Sequence, residues 1–346
     1  MQSSSNKKII YWLLSGCFLV FAMVIVGGIT RLTGSGLSIT EWKVVTGTIP
    51  PMDDAQWNEA FDKYKQIPQY KLLNADFTLS DFKFIYFWEY IHRLIARLIG
   101  IVFIIPFIYF LIKKQIDKSL MPKLIIMFLL GAWQGFLGWY MVKSGLTENV
   151  RVSHIRLAIH LINAFITFGY IFWVALGLIY SRQNKSVPNK KFNRLSWLLL
   201  FIVTIQIVYG AFVAGTKAGH VFNTWPKMGE EWMASSVPYA FEQQGISSLF
   251  NNLASVQFIH RWLAIIVLGL SSYIFILSGK SVLSKIQIQA IKSCMHAIIL
   301  QIILGIFTLL FAVPVWLGVL HQVGAFLIFA SIIFLIFHFT QIKSAV

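Results

Sequence analysis

The chain has 346 residues, of which 57% are hydrophobic and only 12% charged, and its mean hydropathy is +0.71. That balance excludes a soluble globular protein and indicates a polytopic membrane protein. The formal charge of +16 comes from 29 Lys and Arg against 13 Asp and Glu. Nucleic-acid binding would give such a charge, but basic loops on one side of a membrane account for it more simply, so no nucleic-acid partner is expected.

The first residues are polar and end in Lys7-Lys8. They are too short for a mitochondrial transit peptide, and the apolar segment after them lacks a clear cleavage site, so it reads as a retained first helix. Eight segments are apolar and long enough to span about 30 Å of hydrocarbon: 9–29, 84–112, 122–142, 156–181, 195–214, 255–278, 291–313 and 317–340. The last two are joined by a tight turn near Pro314. The chain is therefore expected to be all-α, with every span a transmembrane helix. Lys113, Lys114, Lys118 and Lys123 lie in the 2–3 loop, Arg182, Lys185, Lys190, Lys191 and Arg194 in the 4–5 loop, and Lys280 and Lys285 in the 6–7 loop. With Lys7 and Lys8 these mark one face as cytoplasmic and put both termini there. The long 1–2 and 5–6 loops then lie outside. Trp57 to Tyr70 has the pattern of a short amphipathic helix, and the Trp, Pro and Gly content of both loops suits ordered caps. Cys17 and Cys294 fall in apolar stretches and have neither metal-ligand spacing nor loop-disulfide placement.

The chain reads as an internal repeat. Gly27 to Trp42 (GGITRLTGSGLSITEW) matches Gly210 to Trp225 (GAFVAGTKAGHVFNTW) without gaps. Glu89-Tyr-Ile-His-Arg93 matches Gln257-Phe-Ile-His-Arg261, Gln134–Gly138 matches Gln301–Gly305, and His160–Phe165 matches His321–Phe326. Four matches in one order predict two pseudo-symmetric parallel four-helix bundles, residues 1–181 and 182–346, related by an axis along the membrane normal.

His92, His160, His260 and His321 fall early in the second, fourth, sixth and eighth spans, two per half. Two imidazoles at similar depth on facing helices suit a planar metal macrocycle, and haem is the natural candidate. Zinc would need three or four clustered ligands in each half. The bland alternative is hydrogen-bonded packing of each histidine; the matched positions favour ligation. Arg93 and Arg261 follow two of these histidines and suit either haem propionates or interfacial anchoring. Glu89 is the asymmetric feature. It is either a structural acid paired with Arg93 or Arg97, or a carboxylate beside a haem edge that accepts a proton or stabilises positive charge. Gln134 and Gln301 are equally well explained by helix–helix hydrogen bonds. His154, His220, His296 and His338 have no repeat partner and read as loop or packing residues.

With these motifs the chain resembles heme A synthase. The resemblance rests on GGITRLTGSGLSITEW with Pro50-Pro51, the run Trp57 to Phe84, EYIHR at 89–93, RLAIHL at 156–161, FIHRW at 258–262 and LHQ at 320–322. It is similar to the branch shared by mitochondria and many Gram-negative bacteria. The other branch carries cysteine pairs in its outer loops; this chain has none. The resemblance implies an oxidoreductase that converts the C8 methyl of haem O to a formyl group, through hydroxylated intermediates, for cytochrome oxidase biogenesis. It implies that His92 and His160 bracket the substrate haem O, that His260 and His321 ligate a permanent haem b, and that Glu89 is the essential acid. It also implies a bacterial inner membrane, haem sites toward the outer face, and haem O synthase and oxidase assembly factors as partners. A di-haem electron-transfer cytochrome and a haem-delivery protein are the rival readings.

Overall fold

A computed structural model describes residues 4–42, 46–147, 150–180 and 189–340. Arg182 and Lys185, two of the basic loop residues, lie outside the described residues, as does Ser181 at the end of the fourth span. Among the described residues the fold is all-helical, with no β-strand. The helices are α1 (Ser4–Leu32), α2 (Asp54–Lys65), α3 (Pro68–Leu73), α4 (Leu79–Ile112), α5 (Met121–Thr147), α6 (His154–Tyr180), α7 (Lys190–Thr216), α8 (Ser236–Gln244), α9 (Ser248–Asn251), α10 (Leu253–Ser278), α11 (Lys285–Leu310) and α12 (Val315–Phe339). Eight of these, α1, α4 to α7 and α10 to α12, are long and apolar enough to cross a membrane. A helix suits that role because it satisfies its own backbone hydrogen bonds where no water is available.

The ends of the helices depart from the apolar limits for local reasons. α4 begins before Phe84 because Thr78 and Asp81 form a capping box: the Thr78 side chain accepts from the Asp81 amide, and Asp81 accepts from Thr78. α11 begins at Lys285 through the same device, Ser284 with Gln287. It stops at Leu310, before the expected end at 313. Ala312 and Val313 take left-handed φ of 55° and 58° there, and Pro314 then precedes α12. Asn252 caps α10 by accepting from the Ala254 and Ser255 amides.

The chain divides into two compact units, Phe18–Ala164 and Met1–Cys17 with Phe165–Val346. In the Phe18–Ala164 unit the expected amphipathic helix is present but broken in two. Pro68 occupies the first turn of α3, where its missing N–H costs nothing. Phe61, Tyr64 and Ile67 pack with Leu37, Phe82 and Ile85 into a buried cluster, so the long loop is folded onto the first turns of α4. Within the other unit, Met228, Ala234 and Val237 of the second long loop pack on Ala254 and Phe258 of α10. α12 is apolar nearly all round and its C-terminal half is buried there; Phe326, Phe329, Ile332 and Ile336 are core residues.

Candidate functional site

Each of the four repeated histidines rests against a glycine of a neighbouring helix. A Cβ on Gly27 would lie 3.3 Å from His92 Nε2, and one on Gly138 would lie 3.2 Å from His160 Cε1. On Gly210 it would lie 3.3 Å from His260 Cε1, and on Gly305 2.8 Å from His321 Cε1. Gly27 and Gly210 are matched positions of the repeat, as are Gly138 and Gly305. The missing side chains are therefore what let the imidazoles approach α1, α5, α7 and α11 closely. These four glycines were inside the quoted motifs, but their role was not read from the sequence. The available signal was that the repeat keeps a glycine at both places.

The repeated glutamines act on two of the histidines. Gln134 Nε2 on α5 donates to the His160 main-chain oxygen at 3.1 Å and lies 3.3 Å from the ring nitrogens. Gln301 Nε2 on α11 donates to the His321 main-chain oxygen at 2.8 Å. So these are helix–helix hydrogen bonds, and they are made at the histidine itself. Beyond that the units differ. Asn163 donates to Gln134 Oε1 at 2.6 Å, while the matching position is Gly324, against which the Gln301 amide packs.

Glu89 is buried, 3% exposed, and fully engaged. Its Oε2 accepts from Ser38 Oγ at 2.7 Å and from the Ile39 amide at 2.9 Å. Its Oε1 accepts from Arg93 Nη2 at 2.7 Å and Nε at 3.1 Å. Of the two arginines offered by the sequence, Arg93 therefore forms this ion pair, at i and i+4 on α4. Arg93 also donates to the main-chain oxygens of Ile39 and Glu41, both at 2.9 Å, and stacks over Trp42. Arg261 repeats this clamp on the second long loop. It donates to the main-chain oxygens of Phe222 and Thr224, both at 2.9 Å, and of Lys227 at 3.0 Å. Phe222 and Thr224 are the positions that match Ile39 and Glu41 in the ungapped alignment. Gln257 stands where Glu89 stands, and its Nε2 donates to Phe222 O at 3.0 Å instead of accepting.

The unmatched histidines behave separately. His220 and His296 are exposed, His154 opens α6, and His338 is buried among Tyr180, Phe334 and Phe337. Cys17 and Cys294 are free and buried.

The pair in the Phe165–Val346 part can be tested against a metal held on two axial nitrogens. With metal–nitrogen bonds of about 2 Å on opposite sides, the ring centres of two imidazoles fall about 6 Å apart. His260 and His321 are 6.4 Å apart, centre to centre, with planes at 78°. Nδ1 of each is buried with no hydrogen-bond partner. Donor set and spacing fit an axial pair.

A family model described as "Cytochrome oxidase assembly protein" matches residues 10–333. Curated relatives named "Heme A synthase" align over nearly the whole chain. The protein of Flavobacterium psychrophilum is 48% identical over 340 residues, covering 97% of this chain and 99% of the relative. That of Flavobacterium johnsoniae is 48% identical over 335 residues, 95% and 97% of the two chains. The Rhodospirillum centenum protein is 44% identical over 334 residues, 94% and 86%.

Proposed function

The chain belongs to the cytochrome oxidase assembly protein family, and from that premise we propose that it is an integral membrane oxidoreductase that makes haem A. It oxidises the C8 methyl of haem O to a formyl group, through hydroxylated intermediates. The observation that carries this reading is the pair of matched two-histidine sites, of which only one has an acid beside it.

His92 and His160 bracket the substrate haem O. Gly27 and Gly138 leave room for their rings, and Gln134 fixes the turn of α6 that carries His160. Glu89, three residues before His92 on α4, is the acid–base group of this site. Its ion pair with Arg93 and its bonds from Ser38 and Ile39 hold the carboxylate in one orientation. His260 and His321 hold a resident haem b, which when bound supplies one-electron redox chemistry. Arg93 and Arg261 hold the loops down; Arg261, beside the neutral Gln257, also places a positive charge where a propionate is expected, while the Arg93 charge is shared with Glu89.

The halves 1–181 and 182–346 are two related four-helix bundles, each with one site. Lys7, Lys8, Lys113, Lys114 and Lys190 sit at helix ends remote from the long folded loops, which supports cytoplasmic termini in a bacterial inner membrane and sites toward the outer face. A haem O synthase upstream and oxidase assembly factors downstream are the corresponding partners.

Chromatography and mass analysis of haems extracted from protein made in cells that also make haem O tests this. Haem b together with haem A, or its hydroxylated precursor, is expected. Haem b alone, at two per chain, would point instead to an electron-transfer cytochrome.

A further inference from the structure

We propose that a cavity at the loop-capped end of the Phe18–Ala164 unit receives the carboxylate-bearing edge of the substrate macrocycle, and that Lys143 is a substrate-binding residue there. This rests on the reading of His92 and His160 as the substrate site.

The cavity has a volume of about 200 Å³ and lies between the loop residues 39–42, Arg93 of α4, and Trp139 and Lys143 of α5. Arg93 ties it to the acid of the substrate site, since its guanidinium pairs with Glu89, which stands three residues before His92 on α4. Two cations and two indoles form its walls. The Arg93 guanidinium lies 5.0 Å from the ring centre of Trp42, and Lys143 Nζ lies 5.1 Å from that of Trp139. Indole faces suit a flat apolar body, and the cations suit anionic groups on its edge. Glu41 also lines the cavity, but its carboxylate is paired with Lys63 at 2.9 Å. Glu59 and Glu41 together raise the Lys63 pKa by accepting its hydrogen bonds. The Arg93 charge is likewise matched, by Glu89 at 2.7 Å, so Lys143 is the cation of this wall on which the proposal rests.

The matched half keeps Trp225 and Arg261 but lacks the α5 pair. Carrying the Gln134–Gly138 and Gln301–Gly305 match forward places Ile306 at the position of Trp139 and Leu310 at that of Lys143. A resident haem need be seated only once. A substrate must enter repeatedly and in one orientation, because only one of its edge methyls is oxidised. Haem O carries both its carboxylates on one edge, so a cation at one end of the site selects between orientations that the flat apolar body leaves similar.

The test is an absorption titration of the purified full chain, carrying its haem b, with haem O and with haem O dimethyl ester, whose carboxylates are blocked. Wild type should prefer the free acid. Lys143→Gln should weaken haem O binding roughly two- to fivefold, the range of a partly exposed ion pair, and leave ester binding unchanged. Lys143→Arg should restore the preference. Turnover should show the change in KM and not in kcat. If Lys143→Gln discriminates acid from ester as wild type does, the proposal is wrong and the substrate site stands. If wild type binds no haem O in a manner that depends on His92 and His160, both fall.

Discussion

Glu89 and Gln257 occupy one position of the repeat, and the comparison between them separates two roles of an acid. Loop anchoring alone does not need the charge. Arg261 holds the Phe222 and Thr224 carbonyls beside a neutral Gln257, just as Arg93 holds those of Ile39 and Glu41 beside Glu89. A carboxylate buried at 3% exposure carries a desolvation cost that the amide avoids. Its presence in one site only is then a matter of chemistry more than of packing. Glu89→Gln should therefore keep the fold and the bound haems, while formyl production falls by about 100-fold or more, the range for loss of a general acid–base group. Haem A output near wild type in cells that express the variant would leave Glu89 with a structural role only. The sequence made the asymmetry plain, because Glu and Gln sit in two otherwise similar runs. It did not reveal that Ser38 and Ile39 complete the carboxylate's shell, since those residues lie in a loop about fifty positions away. Nor did it reveal that both arginines clamp main-chain oxygens of the long loops, which no side-chain pattern encodes.

At the scale of the helix, the site depends on close approach of neighbours. Helices α5 and α6, and α11 and α12, are bridged by a glutamine that donates to a histidine main-chain oxygen, with a glycine beneath the ring. The tightest case is Gly305, where a Cβ would stand 2.8 Å from His321 Cε1, closer than real contacts allow. The ring would have to move, and it is itself the proposed ligand. Gly305→Ala should therefore cost about 1–3 kcal/mol of haem b affinity, the usual range for overpacking, or roughly 5- to 150-fold. Gly269 on α10 has nothing within 4 Å of its would-be Cβ and serves as the control. Pyridine haemochrome assay of the two purified variants checks this: Gly269→Ala should hold wild-type haem b and Gly305→Ala should lose it. Equal occupancy in both would remove the steric argument. The spans themselves were legible from hydropathy, because lipid demands long apolar runs. Their ends were less so. Capping by Thr78 and Ser284 lengthens α4 and α11 past their apolar limits, and the left-handed Ala312 and Val313 shorten α11 at a place where no glycine announces a turn.

For the molecule as a whole, the important property is that each pair of histidines belongs to one compact unit. His92 and His160 lie in Phe18–Ala164, and His260 and His321 in Phe165–Val346. Their supporting residues divide in the same way: Gly27, Gly138 and Gln134 serve the first pair, and Gly210, Gly305 and Gln301 the second. No side chain in these lists serves both. Substitutions without shared partners are expected to act almost independently. His260→Ala should then abolish haem b while the protein still binds added haem O. His92→Ala should weaken haem O binding while haem b stays at wild-type content. Loss of a permanent haem should also lower the thermal midpoint, since a ligand that binds only the folded state stabilises it by mass action. His92→Ala, tested without haem O, should leave that midpoint nearly unchanged. Absorption spectra and melting curves of the two variants decide the matter. If either substitution emptied both sites, ligation would have to be shared between the pairs, and the assignment of one substrate haem and one resident haem would have to be abandoned.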